Sequence, residues 1–187
     1  MVVGLGNPGA EYFNTRHNVG FRVIDALAEA LGIEVKKKKF GGVFGQGEYG
    51  NKKLILLKPC RFMNRSGQVV ATAAGFYKLE LADLLVVSDD MAIEPGRIRL
   101  RTKGSSGGQK GLDDIIVKLG SNEFNRLRIG IGPSGQQQGY DYVLGKPSPE
   151  ENDLIDDAIE RAKQAVICWI VNGIDIAMNE YNRDVVD

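Results

Sequence analysis

Apolar residues change their spacing along the chain, and each spacing predicts an element. Residues 1–5 form an apolar run that stops at Gly6-Asn7-Pro8-Gly9, the pattern of a buried strand feeding a turn. Over residues 19–31 the positions Val23, Ile24, Leu27 and Leu31 recur at helical spacing, and Gly32 stands where a helix ends in left-handed backbone. Residues 43–49 and 53–58 flank Gly50-Asn51, a pair suited to a two-residue hairpin, and the second run, KLILLK, is apolar enough for the middle of a sheet. Further along, the pattern predicts a small-residue helix at 66–77 and a buried strand at 84–88 ended by Asp89-Asp90. A helix at 112–119, a strand at 127–131, a short strand at 140–144 and one long or two broken helices from 149 to 181 complete the series. In RIRLRTK, Arg97, Arg99, Arg101 and Lys103 alternate with Ile98 and Leu100, so a strand would gather the cations on one face. The run Lys36 to Lys39 is expected to be a solvated turn. Strands alternating with helices predict an α/β fold: one domain over residues 1–187, with a mixed, largely parallel β-sheet sandwiched by helices.

Composition narrows the class. A chain of 187 residues, 43% hydrophobic and 26% charged, is long enough for one sizeable core and unlike a disordered or fibrous chain. Cys60 and Cys168 are far apart and lack CxxC or Cys/His spacing, so neither a disulfide framework nor a metal site is expected. No apolar stretch reaches membrane-spanning length and no basic leader precedes the first strand, which makes a cytoplasmic monomer without membrane contact the expectation. Net charge is zero. A nucleic-acid partner would therefore need a local basic face, which the clusters at 36–39 and 97–103 can supply while acids gather at 150–160.

The candidate chemistry lies in the loops. Gly4-Leu5-Gly6-Asn7-Pro8-Gly9 matches the glycine pattern of dinucleotide-binding folds, but no helical period opens at Gly9, which favours a tight turn exposing Asn7 over a pyrophosphate loop. In open α/β sheets ligands sit at the carboxyl ends of strands, and Asn7, residues 59–64, Asp89-Asp90 and the loop 104–110 all follow predicted strands. His17 is the only histidine and lies in the polar string Asn14-Thr15-Arg16-His17-Asn18. Imidazole is the side chain suited to taking a proton near neutral pH, and Asp89 or Asp90 can orient it from a strand end. With no GxSxG elbow and no cysteine beside the histidine, direct attack by water is the simplest chemistry. Asn64 either caps a helix start, as Ser66 can, or offers an amide to a carbonyl and a water. The cationic strand either protects a sheet edge or meets phosphates.

Taken together, VGLGNPG, YFNTRHNVGF, LLKPCRFMNRSG, SDDMAIEPGRIRLR, GSSGGQKGLDDII, RLRIGIG and VLGKP resemble the bacterial-type peptidyl-tRNA hydrolase family over nearly the whole chain. The resemblance implies hydrolysis of the ester between a peptide and the 3′ end of tRNA, with no cofactor and no obligate protein partner. It implies that His17 activates water, Asp89 orients His17, and Asn7 positions the carbonyl. Tyr12, Met63, Asn64, Gln109 and Lys110 would contact the substrate, and Arg99, Arg101, Lys103 and Arg128 would meet the tRNA. One departure stands out: the family usually carries His-Asn where this chain has Gln109-Lys110, which removes a second imidazole and an amide. The alternative is a non-catalytic RNA-binding relative, of the kind that serves RNA splicing in organelles.

Overall fold

The computed structural model describes residues 1–132 and 139–183. Among these residues seven strands make one sheet in the order β2-β3-β4-β1-β5-β7-β6. The strands are β1 Val2–Gly4, β2 Lys37–Lys39, β3 Gly42–Tyr49, β4 Lys52–Pro59, β5 Leu85–Asp90, β6 Ile98–Arg101 and β7 Asn125–Gly130. β4, β1, β5 and β7 run parallel at the centre, while β2 and β3 on one side and β6 on the other are antiparallel. The helices are α1 Val19–Leu31, α2 Ser66–Tyr77, α3 Lys110–Leu119, α4 Gly139–Leu144, α5 Pro149–Asn172 and α6 Ile174–Tyr181.

Alternate side chains of the central strands feed two cores. Val2, Leu56, Leu85, Leu127 and Ile129 pack with α1, α5 and α6, whereas Val3, Leu57 and Val86 pack with α2 and α3. Both faces of a parallel sheet are covered in this way, which is why its strands read as continuous apolar runs. The α/β sandwich expected from the pattern is therefore present. Gly50 and Asn51 both adopt left-handed backbone, with φ of 56 and 62, giving the turn whose twist suits the β3–β4 hairpin. α1 lies directly on β1: a Cβ on Gly4 would sit 2.1 Å from the Gly20 carbonyl oxygen, and one on Gly20 would sit 2.4 Å from the Leu5 nitrogen.

Two expectations are corrected. The segment expected as a strand at 140–144 is helix α4, with Tyr142 and Val143 both buried. Consecutive burial suits a helix rather than an alternating strand, and β7 already has β5 and β6 on its two edges. The lysines expected in a turn form β2, an edge strand whose three residues are all exposed. Charged side chains on an edge discourage pairing with another chain, so the strand reads locally as a solvated run. The single or broken C-terminal helix is two helices, parted at Gly173 with φ 91.

Candidate active site

His17 stands in a 3-10 turn, Arg16–Asn18, that runs straight into α1. Because α1 abuts β1, this turn is held against the carboxyl end of the neighbouring β5. There His17 Nδ1 lies 2.8 Å from Asp89 Oδ2, and the two residues are only 9% and 4% exposed. The other carboxylate oxygen, Asp89 Oδ1, accepts from Gln109 Nε2 at 3.0 Å. Gln109 Oε1 in turn accepts from the Leu112 amide at 2.8 Å, capping α3. A row from imidazole to carboxylate to amide to helix N-terminus therefore fixes the histidine ring, leaving Nε2 as its uncommitted nitrogen.

Gln109 was expected to touch substrate, but its amide is committed to Asp89, to the Leu112 nitrogen and, at 3.2 Å, to Met63 Sδ. Its geometry is that of a support for Asp89. Replacing it by leucine should lower kcat by roughly tenfold, since a small displacement of a catalytic pair is costly. The same change removes the α3 cap, at about 1 kcal/mol of stability. Steady-state kinetics and thermal unfolding of Gln109→Leu measure both, and an unchanged kcat would show that Asp89 needs no such support.

Asn7 is gripped from three sides. Its backbone nitrogen donates to Asn18 Oδ1 at 2.8 Å, its carbonyl accepts from Asn18 Nδ2 at 3.0 Å, and its own Oδ1 accepts from the Met63 amide at 2.9 Å. That leaves the Asn7 Nδ2 hydrogens without a partner among the described residues. Asn7, expected to be exposed by a tight turn, is instead buried, because Asn18 and the Met63 amide hold it on both its backbone and side chain. Asn64 is exposed in the 3-10 turn Met63–Arg65 and caps nothing, because α2 has no side-chain cap. Met63 itself is 4% exposed and packs in the α2–α3 core. Tyr12 is half-buried in the turn Ala10–Tyr12.

A cavity of about 230 Å³ opens beside the pair, lined by His17, Asp89, Met91, Gln109, Lys110 and Tyr140 among others; Asn7, Tyr12, Met63 and Asn64 lie outside its lining. On the other side of Asn7 a groove of about 370 Å³ is walled by Pro8, Phe13, Phe21 and Lys58. Phe13, on this groove, and Phe62 are both more than half exposed, which the sequence pattern did not indicate. A large apolar side chain left in water inside a polar loop is the signal that points to them, and exposure is not readable without the fold.

Arg16 faces the opposite way from His17. Its guanidinium is buried, binds Glu151 Oε2 at 2.7 Å and the Tyr142 carbonyl at 3.2 Å, and lies 4.2 Å from the centre of the Tyr142 ring. Tyr142 donates its hydroxyl to the Ile131 carbonyl at 2.7 Å. Ser148 and Glu151 form the capping box that starts α5. The loop carrying His17 is thereby tied to both α4 and α5.

The cations divide into buried and exposed sets. Arg126 is fully buried, donating to the carbonyls of Gly104, Ser105 and Asn122, with Phe124 against its guanidinium. Burial, with Arg128 beside it, lowers Arg126 to about 10. Arg128 pairs with Asp90 at 2.8 Å and also holds the Ser105 carbonyl. Together they pin the glycine-rich loop that walls the cavity. Arg99 faces Arg128 across the β6–β7 pair and, like Arg101, is exposed. Lys103 is exposed and reaches Glu123 at 3.8 Å, and Lys110 is exposed at the start of α3. Among the described residues no group of three His, Cys, Asp or Glu is placed to hold a metal ion, and no helix is long and apolar enough to cross a membrane. Both cysteines are free.

The arrangement sets an imidazole next to a carboxylate beside a cavity whose lining includes Lys110, with Asn7 lining the neighbouring groove. Comparison with known proteins identifies the family. The family described as Peptidyl-tRNA hydrolase matches residues 1–187. The chain is similar to Peptidyl-tRNA hydrolase of Caldanaerobacter subterraneus subsp. tengcongensis, 51% identical over 182 residues, covering 97% of this chain and 98% of that protein. It is 47% identical over 184 residues to the Syntrophomonas wolfei protein of the same name, covering 97% and 99%. The crystal structure of peptidyl-tRNA hydrolase from Acinetobacter baumannii superposes with a TM-score of 0.92 at 42% identity, over 97% of this chain and 93% of that one. With its fold and its sequence in agreement over residues 1–187, the chain belongs to the peptidyl-tRNA hydrolase family.

Proposed function

We propose that this protein hydrolyses the ester between the peptide and the 3′-terminal ribose of peptidyl-tRNA by direct attack of water, with His17 as the base. The observation that carries the reading is the His17–Asp89 contact of 2.8 Å, buried at the edge of an open cavity. With Nδ1–H donated to Asp89, the Nε2 lone pair takes a proton from water as the oxygen attacks the ester carbonyl. Asp89 stabilises the imidazolium that forms. Asn7 Nδ2 is free to donate to the developing oxyanion, and Asn64 is exposed nearby to help place the carbonyl or the water. Collapse of the intermediate breaks the bond to the ribose oxygen, which recovers the proton from His17, giving free peptide and tRNA. An alkoxide is an easier leaving group than an amine, so one base and a few amide donors are enough for this ester.

In this reading the apolar groove beyond Asn7 receives peptide side chains, and Lys110 meets the substrate on the cavity side. Arg128, with Arg99, Arg101 and Lys103, meets tRNA phosphates. The enzyme acts as a monomer in the cytoplasm. The test is release of a labelled N-acetyl amino acid from its ester with tRNA by the purified protein. Catalytic turnover to the free acid and tRNA is the expected result. Retention of the intact ester on the protein without cleavage would instead indicate a binding protein.

A further inference from the structure

A second concave site lies away from the catalytic cavity. Between α2, α3 and the β2–β3 turn a cleft of about 410 Å³ is lined by Phe40, Arg61, Arg65, Gln68, Asp114 and Lys118, with Val69 at its base. Arg61, Arg65 and Lys118 are exposed, and no side-chain hydrogen bond or ion pair engages them among the described residues. Arg16, Arg22, Lys58 and Arg128, by contrast, are each held by a carboxylate. The single carboxylate in the cleft, Asp114, is half-buried and accepts from the Gly67 amide at 2.7 Å.

Its rim adds aromatic faces. Phe40 holds left-handed backbone at φ 62, an uncommon state for a bulky residue, and packs against Phe44, Phe76 and Tyr77. The Lys39 ammonium lies 3.5 Å from the centre of the Phe76 ring. Two features place this cleft on the substrate's path. Arg61 and Arg65 each stand two residues from Met63, so the chain cannot carry them more than about 7 Å from it, beside the catalytic loop. Strand alternation also puts Arg99 and Arg101 on the α2–α3 side of the sheet, because Ile98 and Leu100 face the α1–α5 core. The cleft and the cationic strand therefore share one side of the molecule, while the acids of α5 occupy the other.

We propose that Arg61, Arg65 and Lys118 form a second backbone site for the tRNA, gripping phosphodiesters of the nucleic-acid body while the ester lies at His17. Unpaired cations in a groove with aromatic edges suit repeated phosphates, and the anchoring they give is independent of base sequence. The proposal rests on peptidyl-tRNA being the substrate.

The experiment compares wild type with the triple variant Arg61→Ala/Arg65→Ala/Lys118→Ala on two substrates carrying the same N-acetyl amino acid: full-length tRNA and the trinucleotide CCA. On full-length tRNA the variant's KM should rise by about tenfold at low salt, and the slope of log KM against log salt should become shallower by about 2 to 3, as loss of three phosphate contacts implies. Its kcat on both substrates and its KM on the trinucleotide should match wild type. Binding of uncharged tRNA, followed by fluorescence anisotropy, should weaken in parallel, and this readout stands whether or not the ester is cleaved. Unchanged affinity and salt slope on full-length tRNA would overturn the proposal. An equal loss on the trinucleotide would overturn it too, by showing that the cations act only through the neighbouring catalytic loop. Failure of wild type to cleave either ester, with tRNA binding still dependent on these cations, would reject the hydrolase reading and keep the RNA site.

Discussion

Changing His17 to alanine should lower kcat by about a thousandfold while leaving KM within a few-fold of wild type, the signature of losing a general base. The expectation follows from geometry. Nδ1 is held by Asp89, this is the chain's only histidine, and Asp90, which also lines the cavity, is held by Arg128 and the Ala92 amide. The nearby Asp89 keeps only its Gln109 bond in the variant, and a carboxylate is a much weaker base than imidazole near neutral pH. Asp89→Asn should fall short of that loss and still be severe, because an amide can turn its nitrogen toward the ring and favour the wrong tautomer. Release of labelled N-acetyl amino acid from tRNA measures both variants. A His17→Ala protein that retains wild-type kcat would remove His17 from the mechanism.

Gly20→Ala is expected to have the largest effect on folding. The added Cβ would stand 2.4 Å from the Leu5 nitrogen, 2.5 Å from the Leu5 oxygen and 2.7 Å from the Val87 oxygen, all backbone atoms in the middle of the sheet. None of them is a side chain that can rotate away, so α1 must lift off β1. Such overpacking should cost about 3 kcal/mol or more. Denaturant unfolding reads the loss directly. Activity should fall in the fraction that still folds, because the turn carrying His17 begins α1 and moves with it. A melting temperature within a degree of wild type would mean that the helix can shift without strain.

Much of the fold was legible because the local signals agreed with one another. Residues 19–31 carried helical spacing and a glycine stop, and α1 has those bounds, with Gly32 left-handed at φ 63. The hairpin turn was legible because Gly50-Asn51 suits few other conformations. Helix α4 was not, since Tyr140, Tyr142 and Leu144 alternate as a strand would. What decides the matter is tertiary: the Tyr142 hydroxyl bonds Ile131 and Arg16 covers its ring. At the site, residue types and strand ends pointed to His17 and left Asp89 and Asp90 as alternatives, and the choice of Asp89 and the role of Asn7 came from the family resemblance; the structure brings Asp89 to 2.8 Å from His17. The burial of Met63 and the commitment of Gln109 to Asp89 were not legible, because both depend on how closely α3 meets the turn at 63–65. Arg126 was hidden for a related reason. A buried arginine held only by carbonyls has no counter-charge that a sequence pattern could reveal.

The Arg16 tether also bears on how the chain matures as it leaves the ribosome. Its guanidinium is enclosed by Tyr142 and Glu151, and the bond to Glu151 spans 135 residues. While only the first hundred or so residues have emerged, β1, β4 and β5 can already pair, yet Arg16 has no carboxylate and resists burial. The turn bearing His17 therefore cannot settle until the start of α5 has been made. The loop that carries His17 is thus closed by residues drawn from the two ends of the chain, so its final shape depends on the C-terminal helices as much as on the sheet.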